Sequence, residues 1–282
     1  MLVNAYGKIN LSLDITGRRA DGYHDIASVM QSVSLCDEIS IELRQDQNVF
    51  VKTDCPDLQD CENNIAYKAC MQMKTDFQID CGFDIFIQKR IPLAGGMAGG
   101  STDAAAVIRG MNLLCKLGAT EEKLNKTALK IGADVPFCLG KKTALATGVG
   151  EILTPVCGLP ESVGILLVNP GVQVSTKTIY ESIDNRAEYG TVDNSALVEA
   201  LQKKDVDTAK AYMVNIMEPI TGALCPQVPE IIRIMLENGA FHAMMSGSGA
   251  TCFGLFHGCP DVEKFRRLFP HYYVNTTTAL QV

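Results

Sequence analysis

The sequence predicts an α+β protein built as two domains. Three observations carry this. Strand-like and helix-like patterns follow one another irregularly, without the strict alternation of a doubly wound sheet. The period-two alternation of GFDIFIQKRI (82–91) gives way, through a glycine-rich turn, to an alanine-rich helical pattern over 101–116. Finally, GVGEILTPVCGLPESV (148–163) is rich in glycine and proline and reads as the joint, giving domains at 1–152 and 153–282.

Residues 2–15 alternate and predict a strand, GRRADGYHD (17–25) a polar turn-rich loop, and 26–43 a second strand, with clear alternation in EISIEL. NIAYKACMQMKTD (64–76) has helical periodicity with Asn63 or Asn64 as cap. In 82–91, Phe83, Ile85 and Ile87 share one face, and Pro92 ends the strand. A helix over 120–131 is opened by Thr120 with Glu121 and Glu122 in its first turn. Beyond the joint lie a strand at 164–170 and helices near 176–183, 194–203, 205–217 and 228–240. Strands at 241–246 and 251–256 flank the turn SGSGA.

With 282 residues, 47% apolar and 20% charged, the chain has the composition of a soluble globular protein that needs no staples. A net charge of −7 argues against a general nucleic-acid binder, while leaving room for a local pocket for an anionic metabolite. The eleven cysteines are scattered, odd in number and without a CxxC pair, so zinc is not expected. Reduced thiols in a cytoplasmic protein, many of them small core fillers, fit this usage. Neither a signal peptide nor an apolar run of membrane-spanning length is expected.

The densest motif is PLAGGMAGGSTDAAA (92–106). Each glycine costs roughly 0.5–1 kcal/mol relative to alanine in a regular element, so something must need bare backbone. Dinucleotide spacing fails, since Met97 and Ala98 stand two residues after Gly95 and Gly96. The Walker pattern fails too, with Ser101 where lysine is required. The physical logic survives: amides over 95–102 and the positive end of the following helix suit a phosphate. Ser101 and Thr102 are placed to cap, bind phosphate or hold a metal. The plainer alternative is a tight turn with a polar cap. Elsewhere, Lys8 and Asn10 share one face of the first strand, where a lone lysine is usually solvated. Asp134 in GADVPF sits among apolar neighbours, its plain reading an Asx turn before Pro136. SGSGAT (246–251) reads on its own as a hairpin turn.

In combination and order, these stretches resemble the GHMP kinases, the superfamily of galactokinase, homoserine kinase, mevalonate kinase and phosphomevalonate kinase. Pro92 to Ala105 resembles the family's central loop, and Gly247–Ala250 its terminal glycine turn. AYGKINLSL (5–13), RRADGYHDI (18–26), KRIPLAGGMAGGSTDAAA (89–106), IGADVPF (131–137), GVGEILTPV (148–156) and NPGVQVSTKTIY (169–180) are most similar to members acting on a cytidine-diphosphate-linked methylerythritol. The resemblance implies a two-domain kinase with its active site in the cleft between domains. It implies ATP as co-substrate with Mg²⁺, and transfer of the γ-phosphoryl to the substrate's 2-hydroxyl in isoprenoid-precursor synthesis. Two departures stand out: Ala94 and Ala98 replace glycines common in the family, and either would be strained at positive φ. Asp103 replaces an asparagine and reads as a helix-start charge.

By the same resemblance Asp134 is the base that takes the hydroxyl proton, and Lys8 orients it and balances developing charge. Pro92, Leu93, Ala94, Gly95, Gly96, Met97, Ala98, Gly99, Gly100, Ser101 and Thr102 hold ATP phosphates, and Asn64 and Lys89 its base. Asn10, Asp21, Tyr23, His24, Thr176 and Tyr180 bind the acceptor, with Tyr23 and Tyr180 on the two faces of the cytosine. Ser101 or Thr102 is the nearest Mg²⁺ ligand. The expected state is a monomer or weak homodimer without nucleic-acid or membrane partners. The rivals are another kinase of the superfamily, of homoserine or mevalonate type, and a nucleotide-binding regulator without turnover. The pair Tyr23-His24 argues against the first, and retention of Lys8 and Asp134 against the second.

Overall fold

The computed structural model describes residues 1–58, 62–140, 143–184 and 192–281. In chain order the strands are β1 (Leu2–Asn10), β2 (Asp14–Arg18), β3 (His24–Arg44), β4 (Val49–Thr53), β5 (Gly82–Gln88), β6 (Ala144–Thr147), β7 (Ile152–Pro155), β8 (Val163–Asn169), β9 (His242–Met245), β10 (Cys252–His257) and β11 (Tyr273–Thr277). The helices are α1 (Ile65–Phe77), α2 (Gly99–Leu114), α3 (Glu121–Leu129), α4 (Val135–Gly140), α5 (Thr176–Asp184), α6 (Asn194–Gln202), α7 (Val206–Ala209), α8 (Glu218–Leu224), α9 (Gln227–Glu237) and α10 (Val262–Leu268). The class is α+β. Two compact units are each drawn from separated segments. Met1–Gly7, Cys36–Ile91 and Ala98–Lys141 form the first; Lys8–Leu35, Pro92–Met97 and Lys142–Val282 form the second.

In the first unit β5 pairs antiparallel with the second half of β3, from Glu38↔Gln88 to Arg44↔Gly82, and parallel with β4. Phe83, Ile85 and Ile87 are buried as their alternation predicts, a contribution of about 1.5–3 kcal/mol each. The strand ends at Gln88, well before Pro92. There the Lys89 amide turns to Asp54 Oδ1 (2.9 Å), and those of Arg90 and Ile91 turn to Asp37 Oδ1 (2.5 and 2.8 Å). α2 packs on both α1 and α4. Asn64 caps α1 through Ala66 N (2.9 Å), and Thr120 caps α3. Ala104, Ala105, Ala106, Ile108 and Met111 of α2 are fully buried. Gly110 lets that helix approach β3, because a methyl there would collide with Ile41. α4 is a correction to the turn expected at Asp134-Val135-Pro136. Proline in a first helical turn lacks an amide that would have no partner anyway, so the segment continues as helix.

In the second unit β2 pairs with the first half of β3, bulged between Ile15 and Gly17. β6 pairs with β3 and β7. A separate antiparallel sheet runs β11-β8-β10-β9, with α9 packed on β9 and β10. The strand expected over 2–15 breaks after Asn10. Leu13 instead bridges 214–216, donating to Val214 O (2.8 Å) and accepting from Ile216 N (3.0 Å). That bridge also explains why the helix expected over 205–217 shrinks to α7 and a turn at Lys210–Tyr212. His24 opens β3 and does not lie in the loop, which closes over 19–23 through Arg19 N to Tyr23 O (2.8 Å).

The described cysteines are free thiols, with Cys70, Cys138, Cys225 and Cys252 in the core; Cys61 lies outside the described residues. No described helix is long and apolar enough to cross a membrane.

Candidate active site

In the first unit, α2 starts without a side-chain cap. Its N-cap residue Ala98 is left-handed (φ 57°, ψ 30°). The first intrahelical amide bond runs from Thr102 N to Ala98 O (2.9 Å). The amides of Gly99, Gly100 and Ser101 therefore have no acceptor within the helix, and they sit at its positive end. Thr102 is fully buried and its hydroxyl donates to Tyr6 O (2.5 Å), while Ser101 is only half-buried. Ile65, the first residue of α1, lies beneath two of the motifs. A methyl on Gly100 would lie 3.1 Å from its Cγ2, and one on Gly132 4.0 Å from its Cδ1. Asn64, the start of α2 and the loop carrying Asp134 thus gather around one side chain. Asp134 is half-buried immediately before α4, its carbonyl accepting from Cys138 N (3.2 Å). Arg109 holds the far end of α4 by donating to Cys138 O (2.7 Å), and reaches Asn4 O (2.8 Å).

Lys89 lies under the start of α2. Its ammonium donates to Asp37 Oδ2 (2.5 Å) and Asp103 Oδ2 (2.7 Å), and all three side chains are buried. Burial pulls the ammonium's pKa down, but the two carboxylates more than offset this and leave it raised. Burial pushes the Asp103 carboxyl up to about 8 against the pull of Lys89, with Asp37 adding to the rise. One cation cannot satisfy two carboxylates. Asp37 also accepts two backbone amides, whereas Asp103 Oδ1 is buried without a hydrogen-bond partner. Asp103 is therefore a buried member of an ion cluster and not a helix-start charge. Lys89 ties Asp37 of β3 to Asp103 of α2; Asn64 has its amide oxygen committed to the cap.

In the second unit, Lys8 and Asn10 do share a face, and both are buried, unlike a solvated edge lysine. Lys8 Nζ donates to Asn10 Oδ1 (2.6 Å), a neutral amide oxygen. The glycine loop is stitched to this strand by Lys8 N to Met97 O (3.2 Å). Ser246 adds a second stitch: its hydroxyl accepts from Asn10 N (3.2 Å) and donates to Gly96 O (2.9 Å). The turn SGSGAT thus packs against the loop as well as joining β9 to β10, with Thr251 N on Gly95 O (3.2 Å). Ala94 is left-handed here (φ 47°), so both alanine departures carry the strain expected of positive φ. Pro92 and Leu93 are half-buried and Met97 is fully buried.

The residues expected to bind the acceptor all lie in the second unit. Tyr180 stacks on His24, with ring centroids 4.8 Å apart at 22°. His24 Nε2 lies 2.7 Å from Asp184 Oδ1, and Arg18 reaches the other oxygen of Asp184 at 3.4 Å. The resemblance puts Tyr23 and Tyr180 on opposite faces of one base; here Tyr180 faces His24 and Tyr23 is 67% exposed. Asp21 shapes the turn that presents Tyr23, accepting from Tyr23 N (3.1 Å) and pairing with Arg19; the amide and the guanidinium lower its pKa. Thr176 bonds Ser248 (2.8 Å), tying α5 to the glycine turn. Sequence reasoning missed Asp184, which its i+4 spacing from Tyr180 on one helix face could have flagged. It also missed Asp37 and Ser246, whose partners lie far away in sequence.

Models of the GHMP kinases N terminal domain and GHMP kinases C terminal domain match residues 64–142 and 197–274. A 4-diphosphocytidyl-2-C-methyl-D-erythritol kinase of Lachnoclostridium phytofermentans is 43% identical over 264 residues, covering 93% of this chain and 90% of the relative. One of Clostridioides difficile is 41% identical over 275 residues, covering 96% and 93%. The crystal structure of a 4-(cytidine 5'-diphospho)-2C-methyl-D-erythritol kinase superposes with a TM-score of 0.80 at 30% identity, covering 99% of each chain. Homoserine kinase from Cytophaga hutchinsonii shares the fold, with a TM-score of 0.75 at 18% identity over 99% of this chain and 95% of that one. The chain belongs to the GHMP kinases, in the family of the 4-diphosphocytidyl-2-C-methyl-D-erythritol kinases.

Proposed function

We propose that the chain transfers the γ-phosphoryl of ATP to the 2-hydroxyl of 4-diphosphocytidyl-2-C-methyl-D-erythritol, a step toward isoprenoid precursors. As a small-molecule kinase of this family it takes ATP as co-substrate. The observation that carries the phosphoryl-transfer reading is the uncapped start of α2, where the amides of Gly99, Gly100 and Ser101 offer an oriented anion site. Phosphoryl transfer needs positioning and charge balance more than covalent chemistry. In this reading Asp134 accepts the hydroxyl proton. Lys8, buried and held by a neutral amide oxygen, is placed to face the transferring group. The loop 92–102 cradles the ATP phosphates, and Asn64 and Lys89 contact the ATP base.

No group of three or more His, Cys, Asp or Glu among the described residues forms a metal cage. Mg²⁺ usually keeps waters and binds through substrate phosphates with one or two protein oxygens. Ser101 would hold it, since the Thr102 hydroxyl is buried against Tyr6 O; the ion would neutralise phosphate charge. The stacked His24 and Tyr180, with Tyr23, Asp21, Asn10 and Thr176, form the acceptor's recognition set. Binding energy at the cytidine then fixes the reacting hydroxyl. Residues 1–152 serve as the ATP-binding and catalytic domain and 153–282 as the C-terminal domain of a cytoplasmic enzyme, monomeric or weakly dimeric.

The test is a coupled ADP-release assay with methylerythritol acceptors carrying or lacking the cytidine diphosphate. Turnover only with the cytidine-linked acceptor is expected. Equal turnover on both, or preferential turnover of homoserine or mevalonate, overturns the assignment.

A further inference from the structure

We propose that Ser28 aims the Lys8 ammonium, acting through the side-chain amide of Asn10. This rests on the role given to Lys8 above. The observation is a one-way chain of buried donors within the second unit. Lys8 Nζ donates to Asn10 Oδ1 (2.6 Å), Asn10 Nδ2 to Ser28 Oγ (2.8 Å), and Ser28 Oγ to Ser12 O (2.5 Å). Every side chain in it is at least nine-tenths buried: Lys8 5%, Asn10 1% and Ser28 0% exposed.

The logic is a count of protons. An asparagine amide has nearly the same shape in either of its two orientations, so shape does not choose between them. Lys8 offers only donors, and the Ser12 carbonyl only accepts. Ser28 has one hydroxyl proton, which the carbonyl takes. Its lone pairs are left to face Asn10, so the Asn10 NH₂ must point to Ser28 and the oxygen to Lys8. With the Ser28 hydroxyl gone, the NH₂ loses its acceptor and nothing holds the oxygen toward the ammonium. A flipped amide would set two donors against each other, and the ammonium would swing away.

The far end of the chain is rigid. Leu11 N donates to Val29 O (2.8 Å), Val29 N to Ser12 Oγ (2.9 Å), and Ser12 Oγ to Asn194 Oδ1 (2.5 Å), while Ser28 pairs with Ala146 in β6. Ser28 is thus a fixed reference point on β3. It is a positioning residue, one side chain removed from the ammonium.

The experiment compares Ser28→Ala, Ser28→Thr and Lys8→Met by steady-state kinetics, varying ATP and acceptor separately, alongside thermal melts. Ser28→Ala is expected to lower kcat by about 10- to 100-fold, the scale of a small misplacement, with ATP KM within about twofold. Ser28→Thr keeps the hydroxyl and should restore most of kcat. Ser28→Cys keeps the volume but offers a weak acceptor. It makes the same test with less risk to folding and should lose kcat too. A fourth measurement separates aiming from packing: in an Asn10→Asp background no amide remains to flip, so adding Ser28→Ala should cost far less than it does alone. Wild-type kcat in both Ser28→Ala and Ser28→Cys overturns the inference. So does a loss that Ser28→Thr fails to restore, or one equally large with Asn10→Asp. An active Lys8→Met removes the premise instead, so the two failures are distinguishable.

Discussion

Replacing Asp103 by asparagine should flatten the pH dependence of stability. The cluster holds one ammonium between two buried carboxylates, and Asp103 Oδ1 has no hydrogen-bond partner. The Asp103 carboxyl is pushed up to about 8 by burial, so in the folded chain it holds a proton that the unfolded chain releases near its ordinary value of 3.8. The sign follows from linkage. Between those two values the folded state binds the extra proton, so stability is full below the lower value and falls as pH rises through the window. Raising a pKa by one pH unit corresponds to about 1.4 kcal/mol, and with a folded value of about 8 roughly three pH units of the rise lie above pH 5, so the loss between pH 5 and 9 is on the order of 4 kcal/mol. Asp103→Asn keeps the side chain's shape and an acceptor for Lys89, which stays paired with Asp37. The assay is urea unfolding of both proteins at whole-number pH values from 5 to 9. The stability difference, variant minus wild type, should rise by roughly 4 kcal/mol across the series. Other titrating groups cancel in that difference. Parallel curves would mean that Asp103 is ionised throughout, and would refute the reasoning.

Four further substitutions read other parts of the site. Asp134→Asn should lower kcat by about 10²- to 10⁴-fold while binding of a non-hydrolysable ATP analogue, measured by calorimetry, survives; more than about a tenth of wild-type kcat would remove Asp134 as base. Ala98→Gly should stabilise the chain, because relief of roughly 1–2 kcal/mol of left-handed strain exceeds the flexibility cost of glycine, roughly 0.5–1 kcal/mol; an unchanged or lower melting temperature would show that alanine is at ease there. His24→Ala and Tyr180→Ala should each raise the acceptor KM by about 10-fold or more, from a loss of at least ~1.4 kcal/mol, with ATP KM little changed; wild-type acceptor KM in both would detach this stack from the cytidine.

Much of the secondary structure was legible wherever one periodicity ran long enough. α1, α2, α3, β5 and β8 fall close to the bounds that their apolar spacing and caps predict. Short elements were not: VFVKT and ALAT are too brief for alternation to stand out, and β11 has no turn signal to announce it. The errors at 11–13 and 213–217 share one cause. Two segments far apart in sequence pair around Leu13, and no local pattern reports a partner two hundred residues away. The site divides the same way. Lys8 and Asn10 were placed on one face by period two, whereas the apolar setting of Asp134 read by itself as a turn and only the resemblance gave it a role. What holds them was not, because Ser28 is an unremarked strand serine and Asp37 meets Lys89 only through tertiary packing.

The glycine loop itself answers to two demands. Sequence reasoning assigned all its glycines to one cause, the approach of a phosphate. In the second unit, however, Gly95 and Gly96 are required by protein alone. A methyl on Gly95 would run into Thr251 and lie 2.9 Å from Asn169 Nδ2, and one on Gly96 would strike the carbonyl of Ser246. In the first unit Gly99 and Gly100 face a softer barrier: methyls there meet the side chains of Ile91 at 3.2 Å and Ile65 at 3.1 Å, with no backbone that near. Side chains give by a few tenths of an ångström where backbone does not, so packing alone does not dictate glycine at the second pair. The phosphate proposed to bind at the start of α2 would supply a need for bare backbone there, and the uncapped amides suit such an anion. The first pair of glycines builds the loop; the second pair leaves it open to an anion.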